Sequence, residues 1–346
     1  MSEPTVLIKR EGRVGHVVLN RPKAINALTH EMVTIIQSAL DDWVGDPAVQ
    51  TVVLTGSGER GLCAGGDIVS MYRDGVAGGN ESPVFWAAEY RLDATIAEFP
   101  KPFVAIMDGI VLGGGIGLSA HADVRVVTER SKLGMPETGI GFFPDVGGTY
   151  LLSRAPGELG THLALTAGSV RAGDAIAVGL ADWYVPSDRL PTLIASLATM
   201  TPSEALATVA EPAPDSPLLA DQVWIDAAYE GDDAVKILAQ LADSEVEAAR
   251  ETAVVLASKS PTSVKVTLRA LRLAADLPTL REVLDQEYRL SVRFHGSHDF
   301  IEGVRAQVID KDRNPQWSPP SIDDVADETV VAYFAGLGAG ELGLAS

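Results

Sequence analysis

Two carboxylates, Glu137 and Asp145, stand in Met135-Pro-Glu-Thr-Gly-Ile-Gly-Phe-Phe-Pro-Asp-Val-Gly-Gly148, each beside a proline and close to glycines. Upstream, the triplet Gly113-Gly114-Gly115 follows soon after the apolar run 102–107. Glycines let a backbone turn tightly and present unblocked N–H groups. If the triplet opens a helix, those groups favour negative charge beyond its N-terminus. A second small-residue stretch, Leu62-Cys63-Ala64-Gly65-Gly66-Asp67-Ile68, lies between a strand and a helix and lets a ligand approach the backbone. The N–H groups of Ala64 and Gly114 could then meet at one oxygen atom. Fixed donors with carboxylates nearby suit acyl chemistry, because charge developing on a carbonyl oxygen needs prearranged donors.

Taken singly, each feature has a structural explanation. A glycine triplet also allows a helix to pack closely on a strand. Glu137 can complement the first turn of a short helix, and Asp145 can cap the segment from Val146 to Leu152.

The composition narrows the class. With 346 residues the chain can hold a full core and a second domain. Its 46% apolar and 21% charged residues are an ordinary globular balance. No run approaches the roughly 20 apolar residues of a membrane span. The start, Met-Ser-Glu-Pro-Thr, has neither a signal-peptide nor a transit-peptide pattern, so a cytoplasmic location is expected. One cysteine, Cys63, excludes an internal disulfide framework and suits a reducing compartment. Lys and Arg number 27 against 47 acids, a net charge of −20, which argues against nucleic acid or anionic membrane as partners. An anionic ligand would need locally favourable charge. His16, His30, His121, His162, His295 and His298 lack metal-ligand spacing, and no metal or cofactor is expected.

The elements that must position these groups can be followed in order. Residues 5–10 and 14–19 predict a hairpin around Glu11-Gly12-Arg13. A loop carrying Arg21 and Lys23 leads to Thr29, which can cap a helix with Met32, Ile35, Ile36, Leu40 and Trp43 at helical spacing. Strands at 51–55, 102–107, 124–127 and 181–185 alternate with helices, which implies an α/β core over residues 1–200. Residues 201–320 predict a helical region. Its start signals are Ser244-x-x-Glu247 and Thr279-x-x-Glu282 as capping boxes, Ser260-Pro261, and Asp299-x-x-Glu302. Residues 321–346 form a tail without a clear signal.

Four motifs occur in order: NRPxxxNAL, CAGGD, GGGxGL and PExxIGxxPDVGG. Together they resemble the crotonase (enoyl-CoA hydratase/isomerase) superfamily over roughly residues 5–200. The resemblance implies a spiral of ββα units that binds acyl-coenzyme A. It also implies a thioester oxygen held between two backbone N–H groups, matched here by Ala64 and Gly114. Arg21, Lys23, Ala64, Gly65, Gly66 and Asp67 would contact the coenzyme A portion, which is part of the substrate rather than a cofactor. Homo-oligomers of the superfamily's trimer type are implied as well. Hydratases and dienoyl-CoA isomerases carry an acid where this chain has Gly117, so either activity lacks half of its acid–base apparatus.

Glycine at 117 with MPETxIGxFPDVGG resembles the branch that hydrolyses 3-hydroxyisobutyryl-CoA in valine breakdown. That branch places an acid matched by Glu89 at the substrate and carries late motifs matched by residues 299–306, 309–312 and 314–317. The expectation is a thioester hydrolase in which Glu137 attacks the carbonyl or activates water, with Asp145 and Glu89 around the 3-hydroxyl. The alternatives are a hydratase or isomerase of the same fold, or a non-catalytic acyl-CoA-binding protein.

Overall fold

Gly12, with φ +62°, turns the chain between β1 (Val6–Glu11) and β2 (Val14–Leu19), which pair antiparallel from Val6↔Leu19 to Glu11↔Val14. Every later pairing of that sheet is parallel. The further strands of the chain are β3 (Thr51–Gly56), β4 (Gly61–Cys63), β5 (Phe103–Met107), β6 (Ile110–Leu112), β7 (Val124–Val127), β8 (Lys132–Gly134), β9 (Ser169–Val170) and β10 (Trp183–Tyr184). The main sheet runs β1-β2-β3-β5-β7-β10, and a second runs β4-β6-β8-β9. The second sheet was not expected, since its strands have two or three residues and lie in stretches that read as loops.

This computed structural model describes residues 3–345 and divides the chain into two units. The first takes the chain up to Gly66, Arg91–Gly134 and Val170–Ser216; the second takes Asp67–Tyr90, Met135–Ser169 and everything from Pro217. A contiguous break near residue 200 is therefore not how the contacts fall. The helices Leu190–Ser196 and Pro202–Val209 belong to the first unit, where Leu193, Leu197, Leu206 and Val209 bury against Val53, Val104 and Val126 of the main sheet. The segment carrying Glu137 and Asp145 belongs instead to the second unit, which is almost wholly helical.

Helix starts follow the sequence at most positions. Thr29 accepts from Met32 N at 3.3 Å, and Thr279 forms its box with Glu282. Ser260 caps the helix Pro261–Asp276. The box expected at Ser244 does not form. That helix opens only at Glu247 with Val246 as its cap, and the Ser244 hydroxyl accepts from Val246 N at 3.2 Å. The helix His298–Val304 is capped by Ser297, so Asp299 lies in its first turn. Buried Asp299 accepts from Ser260 Oγ at 2.6 Å and Ser318 N at 2.8 Å, and Arg305 binds Glu302, Asp310 and Asp312. The late motifs thus act as a clasp inside the second unit. Beyond Ser321, a helix Asp327–Tyr333 sets Tyr333 against Phe294, with ring centroids 4.4 Å apart.

Candidate active site

In the second unit, Glu89 sits on the helix Glu81–Ala97 and Glu137 opens the 3-10 turn Glu137–Ile140. Asp145 lies in the following loop, and Glu287 comes from the helix Leu280–Phe294. All four are buried, with Glu89 2% and Glu287 0% exposed. Among the described residues none has an ion-pair partner.

Burial without a cation disfavours charge, so all four hold their protons more tightly than usual. Burial, then the charge of Asp145, pushes Glu89 and Glu137 well up. Burial carries Asp145 up to about 7 against the hydroxyl of Tyr90, which favours the charged form. It carries Glu287 to about 8, against hydrogen bonds from Thr149 and Gly147. Glu89 Oε1 and Glu137 Oε2 have no hydrogen-bond partner among the described residues. A buried, unpartnered carboxylate oxygen is costly unless something else meets it, and this makes the pair candidates for meeting a ligand.

The frame around these acids explains the glycines and aromatics of PETGIGFFPDVGG. Gly141 has φ +73°, and a Cβ there would lie 2.0 Å from Asp299 O. Only glycine lets this turn lie against the helix His298–Val304. Thr138 Oγ1 reaches Ala164 O at 3.2 Å, and Phe142 stacks on Trp86 at 5.4 Å while touching Phe300 at 5.3 Å. Next to Asp145, Val146 holds φ +53°, an unfavourable conformation for a β-branched residue and a mark of local strain. The loop is clamped by Glu287, which accepts from Gly147 N at 2.7 Å, Thr149 N at 3.0 Å and Thr149 Oγ1 at 2.5 Å. Asp145 Oδ2 accepts from the Tyr90 hydroxyl at 2.8 Å.

In the first unit the CAGGD loop does meet the glycine triplet. Gly114 opens the helix Gly114–Ala120, so its N–H has no acceptor within the helix. A Cβ on Gly65 would lie 3.8 Å from Gly114 N, and one on Gly115 would lie 2.6 Å from Cys63 O. The expected donor Ala64 needs correction, because its N–H is already given to Ile25 O at 2.9 Å. The Gly66 N–H has no hydrogen bond among the described residues, which makes Gly66 the candidate partner of Gly114. Gly117 is buried in the same helix and brings no side chain.

Other sequence candidates have contacts of their own within the frame. The Arg21 guanidinium donates to Ala27 O, while Lys23 is exposed and its carbonyl accepts from Arg60 at 2.6 Å. Asp67 caps the helix Ile68–Ala77 by accepting from Ser70 N at 3.4 Å. Buried Cys63 donates to Asn26 O at 3.3 Å. Asn26 was given no role of its own within the first motif, yet its Nδ2 donates to Ser57 O at 3.1 Å and Leu62 O at 2.9 Å and so sews that motif to the CAGGD loop. His16 bonds Thr55 at 2.9 Å, His162 meets Tyr229 at 3.1 Å, and His295 meets Asp74 at 3.0 Å.

Comparison with known proteins agrees with this architecture. The sequence pattern of the family described as Enoyl-CoA hydratase/isomerase matches residues 14–334. A rat protein named 3-hydroxyisobutyryl-CoA hydrolase, mitochondrial, is 41% identical over 97% of this chain and 90% of its own length. The human protein of the same name is 39% identical over equal shares. Those names do not support the cytoplasmic location expected from the sequence; no helix among the described residues is long and apolar enough to cross a membrane. A crystal structure of a carnitinyl-CoA dehydratase from Mycobacterium thermoresistibile is 49% identical, with TM-score 0.95 over 98% of both chains. One of an enoyl-CoA hydratase from Rhodobacter sphaeroides is 43% identical, with TM-score 0.92 over 98% of this chain and 99% of the other. The fold is thus the α/β crotonase fold with a helical C-terminal region, and the chain belongs to the enoyl-CoA hydratase/isomerase family.

Proposed function

We propose that this chain hydrolyses an acyl-coenzyme A thioester whose acyl group carries a 3-hydroxyl, 3-hydroxyisobutyryl-CoA first among them. The observation that carries the proposal is Glu137 Oε2, a buried carboxylate oxygen with no partner among the described residues, in a chain with Gly117 where an acid–base pair would need its second member. The names of the rat and human relatives support the same reading. The thioester oxygen would rest on the N–H groups of Gly114 and Gly66, with Gly66 in place of Ala64. In one route a Glu137 oxygen bonds to the carbonyl carbon, the C–S bond breaks, coenzyme A leaves as the thiolate and takes up a proton, and water then cleaves the mixed anhydride. In the other, Glu137 takes a proton from a water that attacks the carbonyl directly. Asp145 and Glu89 would meet the 3-hydroxyl.

A second reading is a hydratase or dehydratase, favoured by the name of the Mycobacterium thermoresistibile structure. It would have to use Glu89 or Asp145 as the second acid. A panel of acyl-CoAs with and without a 3-hydroxyl separates the two, scored for free thiol and for enoyl absorbance. Thiol release that is fastest with 3-hydroxyisobutyryl-CoA supports the hydrolase. A change in enoyl absorbance without thiol release overturns it, and binding without either makes the chain a binding module.

A further inference from the structure

Tyr90 is fully buried, and its hydroxyl touches two polar atoms: Asp145 Oδ2 at 2.8 Å and Ser291 Oγ at 2.6 Å. Ser291 Oγ lies in turn 3.0 Å from the backbone carbonyl of Glu287. The contacts can be satisfied in two directions, because a hydroxyl both donates and accepts. With Asp145 ionised, Ser291 donates to Tyr90 and Tyr90 donates to Asp145. With Asp145 protonated, the carboxyl donates to Tyr90, Tyr90 to Ser291, and Ser291 to the Glu287 carbonyl. The chain of oxygens serves either state without moving a heavy atom. The Tyr90 ring does not depend on the hydroxyl for its place, since Tyr288 meets it edge-on with centroids 6.3 Å apart.

We propose that Tyr90, backed by Ser291, is a positioning residue for Asp145: the hydroxyl chain fixes the carboxyl where the substrate's 3-hydroxyl would meet it and lets that carboxyl exist as either acid or carboxylate. This rests on the reading of Asp145 as the hydroxyl-binding group. The neighbours make Tyr90 matter. Glu89 of the helix Glu81–Ala97, Glu137 of the 3-10 turn and Glu287 of the helix Leu280–Phe294 are all acids, so none offsets the burial that opposes a charge on Asp145. Tyr90 is the side chain whose hydrogen bond favours that charge. Without it the carboxylate form becomes harder to reach, and a charged acceptor for the substrate hydroxyl is replaced by a neutral acid.

The test uses Tyr90→Phe, which keeps the ring, with Asp145→Asn and the double variant. The specificity constant kcat/KM is measured from pH 5.5 to 9 for 3-hydroxyisobutyryl-CoA and isobutyryl-CoA. Tyr90→Phe is expected to move the acidic limb for the hydroxylated substrate about one pH unit upward and to lower its preference over isobutyryl-CoA about tenfold at neutral pH. In the Asp145→Asn background, Tyr90→Phe should change neither quantity. Equal effects in both backgrounds, or an unmoved limb in Tyr90→Phe, overturn the proposal. If Asp145→Asn leaves the preference unchanged while Tyr90→Phe still moves the limb only when Asp145 is present, the coupling stands and the hydroxyl-recognition reading is what fails. Should Tyr90→Phe not fold, Ser291→Ala takes its place, with a smaller shift in the same direction expected and no shift counting against the proposal.

Discussion

Replacing Glu287 with glutamine sets two opposing effects against each other, and pH decides which wins. The carboxylate accepts three buried hydrogen bonds, two from Thr149 and one from Gly147 N. Glutamine accepts at one end only. With its oxygen toward Thr149, its amide meets Gly147 N–H and leaves a buried donor unpaired, a loss of about 1–3 kcal/mol. Against this stands the burial that raises Glu287 from an ordinary 4.5 to about 8. Below 4.5 the group is protonated in folded and unfolded chain alike. Between 4.5 and 8 the unfolded chain gives up its proton while the folded one keeps it, so stability falls with rising pH. Above the folded value the full loss, on the order of 5 kcal/mol, has developed.

Glutamine does not titrate, so the variant escapes that loss. Glu287→Gln should be the less stable protein at pH 5 and the more stable at pH 8.5, with the curves crossing near the middle. Urea unfolding followed by tryptophan fluorescence at pH 5, 6.5 and 8.5 measures it. A stability difference that stays constant across those three values would refute the argument, because Glu287 would then not be titrating between folded and unfolded states in this range.

Glu137→Gln should lose thioester cleavage by about 10²–10⁴-fold while acyl-CoA binding survives; a tenth of wild-type turnover remaining would remove Glu137 from the chemistry. In ¹⁸O water with enzyme in excess, a covalent route whose anhydride is cleaved at the Glu137 carbonyl leaves the first product unlabelled and puts one heavy oxygen into Glu137. Label in that first product instead places the water's attack on the acyl carbonyl, and excludes cleavage of an anhydride at the Glu137 carbonyl. Gly141→Ala should destabilise the protein by at least about 2 kcal/mol, because the new Cβ meets Asp299 O at 2.0 Å in a positive-φ turn; thermal unfolding within a degree of wild type would show that the turn can relax.

The sequence was most legible where one local signal decides an element. The hairpin at Glu11-Gly12-Arg13, the Thr29 and Thr279 caps and the alternation of strands and helices all follow from near neighbours. The second sheet was not legible, since strands as short as Gly61–Cys63 show no period and owe their pairing to partners some fifty residues away. Ser244 failed as a cap because the helix starts two residues later than its box requires, and the Ser244 hydroxyl accepts from Val246 N instead. At the candidate site, Glu137, Asp145 and Glu89 came from motifs, but Tyr90 and Glu287 did not. A faint signal existed for Glu287. It falls on the apolar stripe of its helix with Val283, Leu284, Leu290 and Phe294, and a carboxylate there must find buried donors. Which donors, Gly147 and Thr149 about 140 residues away, no local pattern could say. Ala64 was misjudged because only the fold reveals that Ile25 takes its N–H.

Among the described residues no ion-pair partner lies beside the four acids, which bears directly on what Glu137 would do in the proposed reaction. An arginine there would hold the carboxylate low and quiet, a poor base and a poor nucleophile. Burial among other acids does the opposite: it raises proton affinity, so the ionised form, once reached, reacts strongly. The same burial keeps part of the set protonated near neutral pH, because Asp145 titrates near 7 and Glu287 near 8. On the proposed reading, one arrangement would therefore supply both a strong base and neutral acids able to donate. Its cost in stability is met by apolar packing of Trp86, Phe142, Phe294 and Phe300 and by the clasp at Asp299. That helical frame, rather than the α/β sheet, is what holds the four acids together in this chain.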